Sequence, residues 1–470
     1  MPHKGIFWNP MPLSTYSLPL VAFDPLRCHQ QFYPQGPGFL ETLNPLAKTG
    51  RFTIIPLHVV DSFRLCHQRL LHIQGGQARE IKGEPLQKLA QILLDRAIQQ
   101  PEETPFPGGF FGFFSYDLAH LMETLPQRAR RDLPVPQFQL DWVDLTAVFD
   151  HQQHRLTLAS LNSSVGRSEL EKLTREIIQH QLGKQPAADL GIPQMPKPLL
   201  TPAAFKAMVE RARAYIAAGD IYQANLSCRF DGQIRGRSAE LYRRLRQVNP
   251  APFACLLQWD DFAIISSSPE RLVSLRGDLA ETRPIAGTRP RGRNFEEDQQ
   301  LAAALLDHPK ERAEHIMLLD LERNDLGKVC RAGTVEVDEL MVLEHYSHVT
   351  HIVSNIRGRL RPGSDPFDLL RATFPGGTIT GVPKKRCMEI IDELEPTGRG
   401  SYTGSAGYIS AGGEMDLNIL IRGFQRVGDH LSYQVGAGIV ADSDPDHEWQ
   451  ECLAKGEALR KVLNEVADAG

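Results

Sequence analysis

Apolar positions along this chain follow two rhythms. Short apolar runs and alternating patterns predict strands over 52–60, 145–149, 225–230, 254–258, 262–266, 272–275, 405–410, 416–421 and 432–435. Apolar residues three and four apart predict helices over 86–97, 203–218, 309–320, 383–393 and from about 446 to 466. Gly219 stands where the helix over 203–218 needs a left-handed residue to stop. The glycine-rich aromatic run 108–114 reads as a strand whose glycines let a second backbone come close. Strands and helices mingle without a regular alternation, so the pattern predicts an α+β fold with mixed sheets.

The stretch 183–201 breaks both rhythms. It holds four prolines and no bulky aromatic residue, and reads as a linker between an N-terminal part, 1–182, and a C-terminal part, 202–470. No apolar run reaches the ~18 residues of a membrane-crossing helix. The first twenty residues are interrupted by Pro10, Pro12 and Pro19, unlike a secretory signal. With 41% hydrophobic and 23% charged residues over 470 positions, the composition is that of a globular protein with ample core. The net charge of −5 argues against a general affinity for nucleic acid. Seven cysteines without a CxxC pair point to reduced thiols in a cytoplasmic protein rather than a disulfide framework.

Several groupings carry possible chemistry. Glu311 and Glu314, and separately Glu448 and Glu451, lie three apart in helical windows, so each pair shares a face. Two such faces turned on one point would repel unless a hard cation joined them. Mg²⁺ suits, taking oxygen ligands and keeping exchangeable waters; the same spacing also describes a solvated face. Glu270, in SSSPER just after a predicted strand, is either a surface turn carboxylate or a general acid whose pocket raises its pKa. The loop 283–293 offers the Gly287 amide and the Thr288 hydroxyl to a carboxylate, or is a solvated basic loop. In 374–386 glycines flank two threonines ahead of Pro383 at a helix start, an arrangement suited to anions but without P-loop spacing. Tyr402, Arg422 and the glycines Gly436 and Gly438 gather at the last strands, and Lys455 follows Glu451 by one helical turn. Arg422 can grip a carboxylate bidentately or form an ordinary ion pair. Together these features describe an acidic, metal-binding, arginine-lined pocket for a small dicarboxylate. No GxCxG nucleophile elbow occurs, so the chain is not equipped to release ammonia from glutamine itself.

Over nearly all of 202–460 the ordered stretches GDIYQANLSCRF, SSSPERLV, TRPIAGTRPRG, KERAEHIMLLDLERNDLG, FPGGTITGVPK, GAGIVADSDP and the terminal EWQE with its following lysine resemble the chorismate-utilising enzymes. These are the anthranilate, aminodeoxychorismate, isochorismate and salicylate synthases. The resemblance implies a four-layer α/β/β/α sandwich of mixed, mostly antiparallel sheets built by both halves of the chain. It implies that Glu314, Glu448 and Glu451, with Glu311 close by, hold Mg²⁺ against the ring carboxylate of chorismate. Glu270 falls on the acid that protonates the leaving C4 hydroxyl. Thr288, His351, Tyr402, Arg422, Gly436, Gly438 and Lys455 fall on substrate-contacting positions.

Two positions separate the branches of this family. Isochorismate and salicylate synthases use a lysine base where this chain has Gln223, and an amide cannot deprotonate water. Many aminodeoxychorismate synthases carry a nucleophilic lysine where this chain has Ala286, as anthranilate synthases do. The FPGG start, FGFFSYDLAHLMETLP and GDIYQANL lean towards the aminodeoxychorismate branch, as does the lack of an LLES-type tryptophan-binding motif. The resemblance therefore implies Mg²⁺-dependent amination of chorismate to 4-amino-4-deoxychorismate, on the route to p-aminobenzoate and folate. A separate glutamine amidotransferase subunit would supply the ammonia. Anthranilate synthesis is the alternative.

Overall fold

The structure is a computed structural model and describes residues 12–43, 49–181, 190–260, 262–345 and 349–468. Two long strands organise it. Phe52–Cys66 and Phe138–Asp150 run antiparallel, and their register slips between Pro56 and Asp61. Pro56 has no N–H to donate, and irregularities of this kind bend a strand pair. The two halves of the pair therefore feed different runs of strands.

One run continues from Phe138–Asp150 through Gly109–Phe114, Ser405–Ser410, Met415–Asn418, Arg271–Arg276 and Leu279–Thr282 to Val349–Arg359. Val349–Arg359 also pairs with Ile285–Pro290 and Glu336–His345. The other run leaves Phe52–Cys66 through Gly38–Glu41, Phe253–Trp259, Phe262–Ser268, Gly423–Val427 and His430–Ile439 to Gln223–Gly236.

The period of two then sorts the side chains. Phe111, Phe113, Cys255, Leu257, Phe262 and Ile264 meet in one apolar layer between the runs. Phe110, Phe114, Ala254, Leu256, Ala263 and Ile265 join the core beneath the helices. Pro309–Gly327 and Pro366–Thr373 pack on the first run, Ser238–Val248 and Pro445–Lys455 on the second. The result is an α+β sandwich of α/β/β/α layers whose ladders, among the described residues, are antiparallel.

Three expectations change. Residues 190–198 of the proline-rich stretch form a strand, paired on one side with Gln223–Gly236 through irregular register. An edge position tolerates prolines because its outer N–H groups need no partner; residues 183–189 lie outside the described ones. The strand expected over 416–421 stops at Asn418, where the Ile419 N–H turns to the Glu270 carbonyl (3.0 Å). The last helix is two, Pro445–Lys455 and Glu457–Ala467, broken at Gly456.

The aromatic strand behaves as its glycines suggest. Gly112 lies opposite Gly407, with φ of 154° and 158°. A Cβ on Gly407 would stand 2.0 Å from the Asp416 carbonyl oxygen. Gly407→Ala is therefore expected to lower stability by ~1–3 kcal/mol, read as a lower denaturant midpoint than the parent's.

No helix among the described residues is long and apolar enough to cross a membrane. All seven cysteines are free, and six are buried.

Candidate active site

Eight elements position the candidate residues. They are β1 (Gln223–Gly236), β2 (Phe262–Ser268), β3 (Ile285–Pro290), α1 (Pro309–Gly327), β4 (Val349–Arg359), α2 (Lys384–Leu394), β5 (His430–Ile439) and α3 (Pro445–Lys455). His308 caps α1 by accepting from the Glu311 N–H, and Asp444 caps α3 from the N–H groups of Asp446 and His447. The caps fix the helix starts. Buried His315 and Leu318 then turn α1 onto β3 and β4, and buried Trp449 and Cys452 turn α3 onto β5. Glu311, Glu314, Glu448 and Glu451 follow on adjoining faces.

These carboxylates feel one another. Glu314 is pushed up to about 7 by burial and then by Glu311, Asp442 and Glu451, against the pull of Lys310 at 4.0 Å. Glu448 is raised by burial and by Glu451, against a hydrogen bond from Ser443 Oγ (2.6 Å) and the charges of Lys455 and Lys310. Lys455 Nζ stands 2.7 Å from Glu451, and Arg289 Nη1 donates to Glu311 at 3.1 Å. Glu448 Oε2 is buried without a hydrogen-bond partner. Among the described residues, no three acidic, imidazole or thiol side chains already stand at ligand distance around one point. The chemistry of the four carboxylates, their mutual repulsion and the orphaned Glu448 oxygen nonetheless fit a hard divalent cation.

Glu270 follows β2 and is buried. Its N–H donates to Ser268 Oγ (3.2 Å), and Thr378 Oγ1 donates to its Oε1 (2.7 Å). Burial pushes its carboxyl up to about 7, with Thr378 and the charge of Lys455 pulling it back. Lys455 thus acts on Glu270, on Glu448 and on Glu451.

Arg422 adopts a left-handed conformation, φ 55°, which strains a residue with a Cβ and must be held by its surroundings. Its Nη1 donates to the Lys455 carbonyl (2.8 Å). Burial lowers the Arg422 pKa, while Tyr402 and Glu451 hold it up; burial raises the Tyr402 hydroxyl. His351 on β4 faces Thr288 on β3, and its Nδ1 lies 3.3 Å from the Gly287 carbonyl oxygen. Burial lowers His351 to about 4, leaving a neutral imidazole near pH 7. The Thr288 side chain lies outside the described atoms.

Gly436 and Gly438 on β5 face Ser227 and Asn225 on β1. A Cβ on Gly438 would stand 2.5 Å from Gln223 Nε2, so its absence makes room for that amide.

Among the expected residues, Glu311, Glu314, Glu448, Glu451, Lys455, Glu270, Arg422 and Tyr402 are linked through shared neighbours. Glu451 links Glu314, Glu448 and Arg422, and Lys455 links the carboxylates to Glu270. Gly436 and Gly438 belong to the neighbouring β1–β5 ladder. Sequence reasoning missed Lys310, Asp442 and Ser443, and missed Thr378 as the partner of Glu270. Asp442 and Ser443 precede the Asp444-Pro445 helix start, which was the available signal. A cavity of about 1140 Å³ is walled by residues that include Met317, Leu321, Asn324, Lys328 and Lys384, and by none of the candidate residues.

Residues 48–461 match the family described as chorismate binding enzyme, and the chain belongs to that family. It is 42% identical to the aminodeoxychorismate synthase component 1 of Bacillus subtilis over 430 residues, 89% of this chain and 90% of that one. It is 48% identical to an anthranilate synthase component I-like protein of Synechocystis sp. over 371 residues, 77% of this chain and 74% of that one. The crystal structure of anthranilate synthase component I from Streptococcus pneumoniae superposes with a TM-score of 0.77 at 34% identity, covering 93% of this chain and 97% of that one.

Proposed function

We propose that this chorismate-binding enzyme aminates chorismate with ammonia to give 4-amino-4-deoxychorismate, as the first component of an aminodeoxychorismate synthase. The observation that carries the chemistry is Glu270, a buried carboxyl held near 7 beside a carboxylate cluster. Such a group keeps its proton near neutral pH and can give it to a leaving oxygen. The FPGG stretch and the B. subtilis relative, matched over nine-tenths of both chains, favour this branch.

Glu314, Glu448 and Glu451, with Glu311 beside them, would hold Mg²⁺. When bound, the ion would neutralise and fix the ring carboxylate of chorismate. Arg422, anchored on the Lys455 carbonyl next to Tyr402, would grip the second carboxylate, and neutral His351, its Nδ1–H given to the Gly287 carbonyl, would offer Nε2 as an acceptor without adding charge. Glu270 protonates the C4 oxygen as it leaves. Ala286 brings no nucleophile, so in this reading ammonia attacks C4 directly as the C4 oxygen leaves with the Glu270 proton. The ammonia would come from a separate glutamine amidotransferase subunit, in keeping with the component 1 name of the B. subtilis relative.

Anthranilate synthesis is the second reading, favoured by Ala286 and by the Synechocystis relative. Incubation with chorismate, ammonium and Mg²⁺ separates the two. Accumulation of 4-amino-4-deoxychorismate without pyruvate is expected. Fluorescent anthranilate with equimolar pyruvate would establish the second reading, and unconsumed chorismate would overturn both. Chelation with EDTA is expected to stop the reaction, and added Mg²⁺ to restore it.

A further inference from the structure

A second buried carboxyl lies close to Glu270. Glu322 sits two turns along α1 from Glu314, and its Oε2 is 2.5 Å from Thr282 Oγ1. The same Thr282 oxygen is 3.1 Å from the Leu272 carbonyl. Thr282 has one hydroxyl proton for two acceptors, so a proton on Glu322 completes the second hydrogen bond. A cavity of about 10 Å³, room for one water, is walled by Glu322, Asp325, Thr282, Leu272, Gly377 and Ile419. Its walls adjoin the general acid: Ile419 N–H donates to the Glu270 carbonyl, and Gly377 precedes Thr378, which holds the Glu270 carboxyl. On its other side, Asp325 Oδ2 is 2.5 Å from Lys384 Nζ, which also donates to the Thr373 carbonyl (2.8 Å). Asp325 Oδ1 accepts from Lys328 (2.8 Å), and Lys328 and Lys384 line the 1140 Å³ groove.

We propose that Glu322 is a positioning residue acting through Glu270, resupplying its proton from the groove by way of the small cavity and the Asp325–Lys384 pair. The inference rests on Glu270 being the acid of the proposed reaction. In that reaction neutral ammonia forms the C–N bond and keeps its three hydrogens as an ammonium group. The C–O electron pair leaves on oxygen, which takes the Glu270 proton and departs as water. Glu270 is left one proton short, and the ammonium ion that yielded the ammonia has released that proton to bulk water. Glu322 passes its proton to Glu270 and is refilled from the groove.

The charges around the pair suit this role. Burial, with Glu270 and Asp325 adding to it, pushes Glu322 to about 8 against Thr282 and Lys384, so it is loaded near neutral pH. Among the described residues, Thr378 and the charge of Lys455 oppose the effect of burial on Glu270.

Glu322→Gln keeps the shape of the protonated side chain but cannot pass a proton on. With chorismate, Mg²⁺ and ammonium in dilute buffer, rapid-quench kinetics are expected to show a first turnover at the parent's rate. The burst counts the folded active sites. Later turnovers are expected to be about tenfold slower or worse. Imidazole buffer, added at fixed pH and ionic strength, is expected to restore the variant's steady rate and leave the parent's unchanged. Equal steady rates in parent and variant would overturn the proposal. So would a first turnover slowed as much as the rest, or a slow phase that buffer does not restore. Full activity of Glu270→Gln would instead remove the reading on which the inference stands.

Discussion

Glu270→Gln is expected to lose ~10²–10⁴ of the chorismate-consuming rate while still binding chorismate. The amide keeps the shape of the carboxyl and can still accept from Thr378 Oγ1, but has no acidic proton to give. The parent's pH profile follows from the same group. Burial favours the neutral carboxyl, so Glu270 is protonated below about 7 and loses its proton as pH rises through that value. The parent's rate is therefore expected to fall on the alkaline side of about 7, and the residual rate of the variant to lack that limb. Single-turnover rates between pH 6 and 9, together with equilibrium binding of chorismate, check both statements. A variant that has lost binding as much as rate would assign Glu270 to substrate binding instead.

Arg399→Leu is expected to have the largest effect on stability. Arg399 and Glu395 are 1% and 2% exposed and stand 2.7 Å apart. The guanidinium also donates to the carbonyls of Ile379 (2.8 Å) and Asn225 (2.7 Å), and it lies between the rings of Tyr116 and Tyr402. Glu395 further accepts from the Ser227 N–H and hydroxyl. Removing the cation leaves a buried carboxylate uncompensated, at a cost of ~3–5 kcal/mol. Urea unfolding of the single variant is expected to show this loss. The double variant Arg399→Leu with Glu395→Leu should recover part of it, because the two changes are coupled. The same network supports Tyr402 and the β1 segment that faces Gly436 and Gly438, so the site and the core share this ion pair.

Much of the fold could be read from local pattern. Strands are present at each inferred position, the one over 416–421 only as far as Asn418, and in Phe253–Trp259 and Phe262–Ser268 one face meets the layer between the sheets and the other the core under the helices. Gly219 terminates its helix with φ 81°, as a residue free of Cβ can. The strand 190–198 was hidden because its prolines suggest a loop, and only its place at an edge permits them. The break at Gly456 was hidden because both flanking helices have the same period.

The site divides along the same line. Spacing put each pair of glutamates on a helix face, but their meeting depends on α1 packing on β3 and β4 while α3 packs on β5. No local pattern encodes that. The contact of Thr378 with Glu270 crosses more than a hundred residues of chain. Glu322 did leave a signal that went unused: it lies one turn beyond the buried Leu318, a charged residue on an apolar face. A carboxyl there must be neutral or paired.

The most direct measurement is a crystal structure of the Glu270→Gln chain grown with chorismate and Mg²⁺. The predicted result has the ion held by Glu314, Glu448 and Glu451, and the C4 oxygen of chorismate within hydrogen-bond reach of the amide at 270. Chorismate seated instead in the groove beside Lys328 and Lys384, with the glutamates still paired to Lys310 and Lys455, would contradict it.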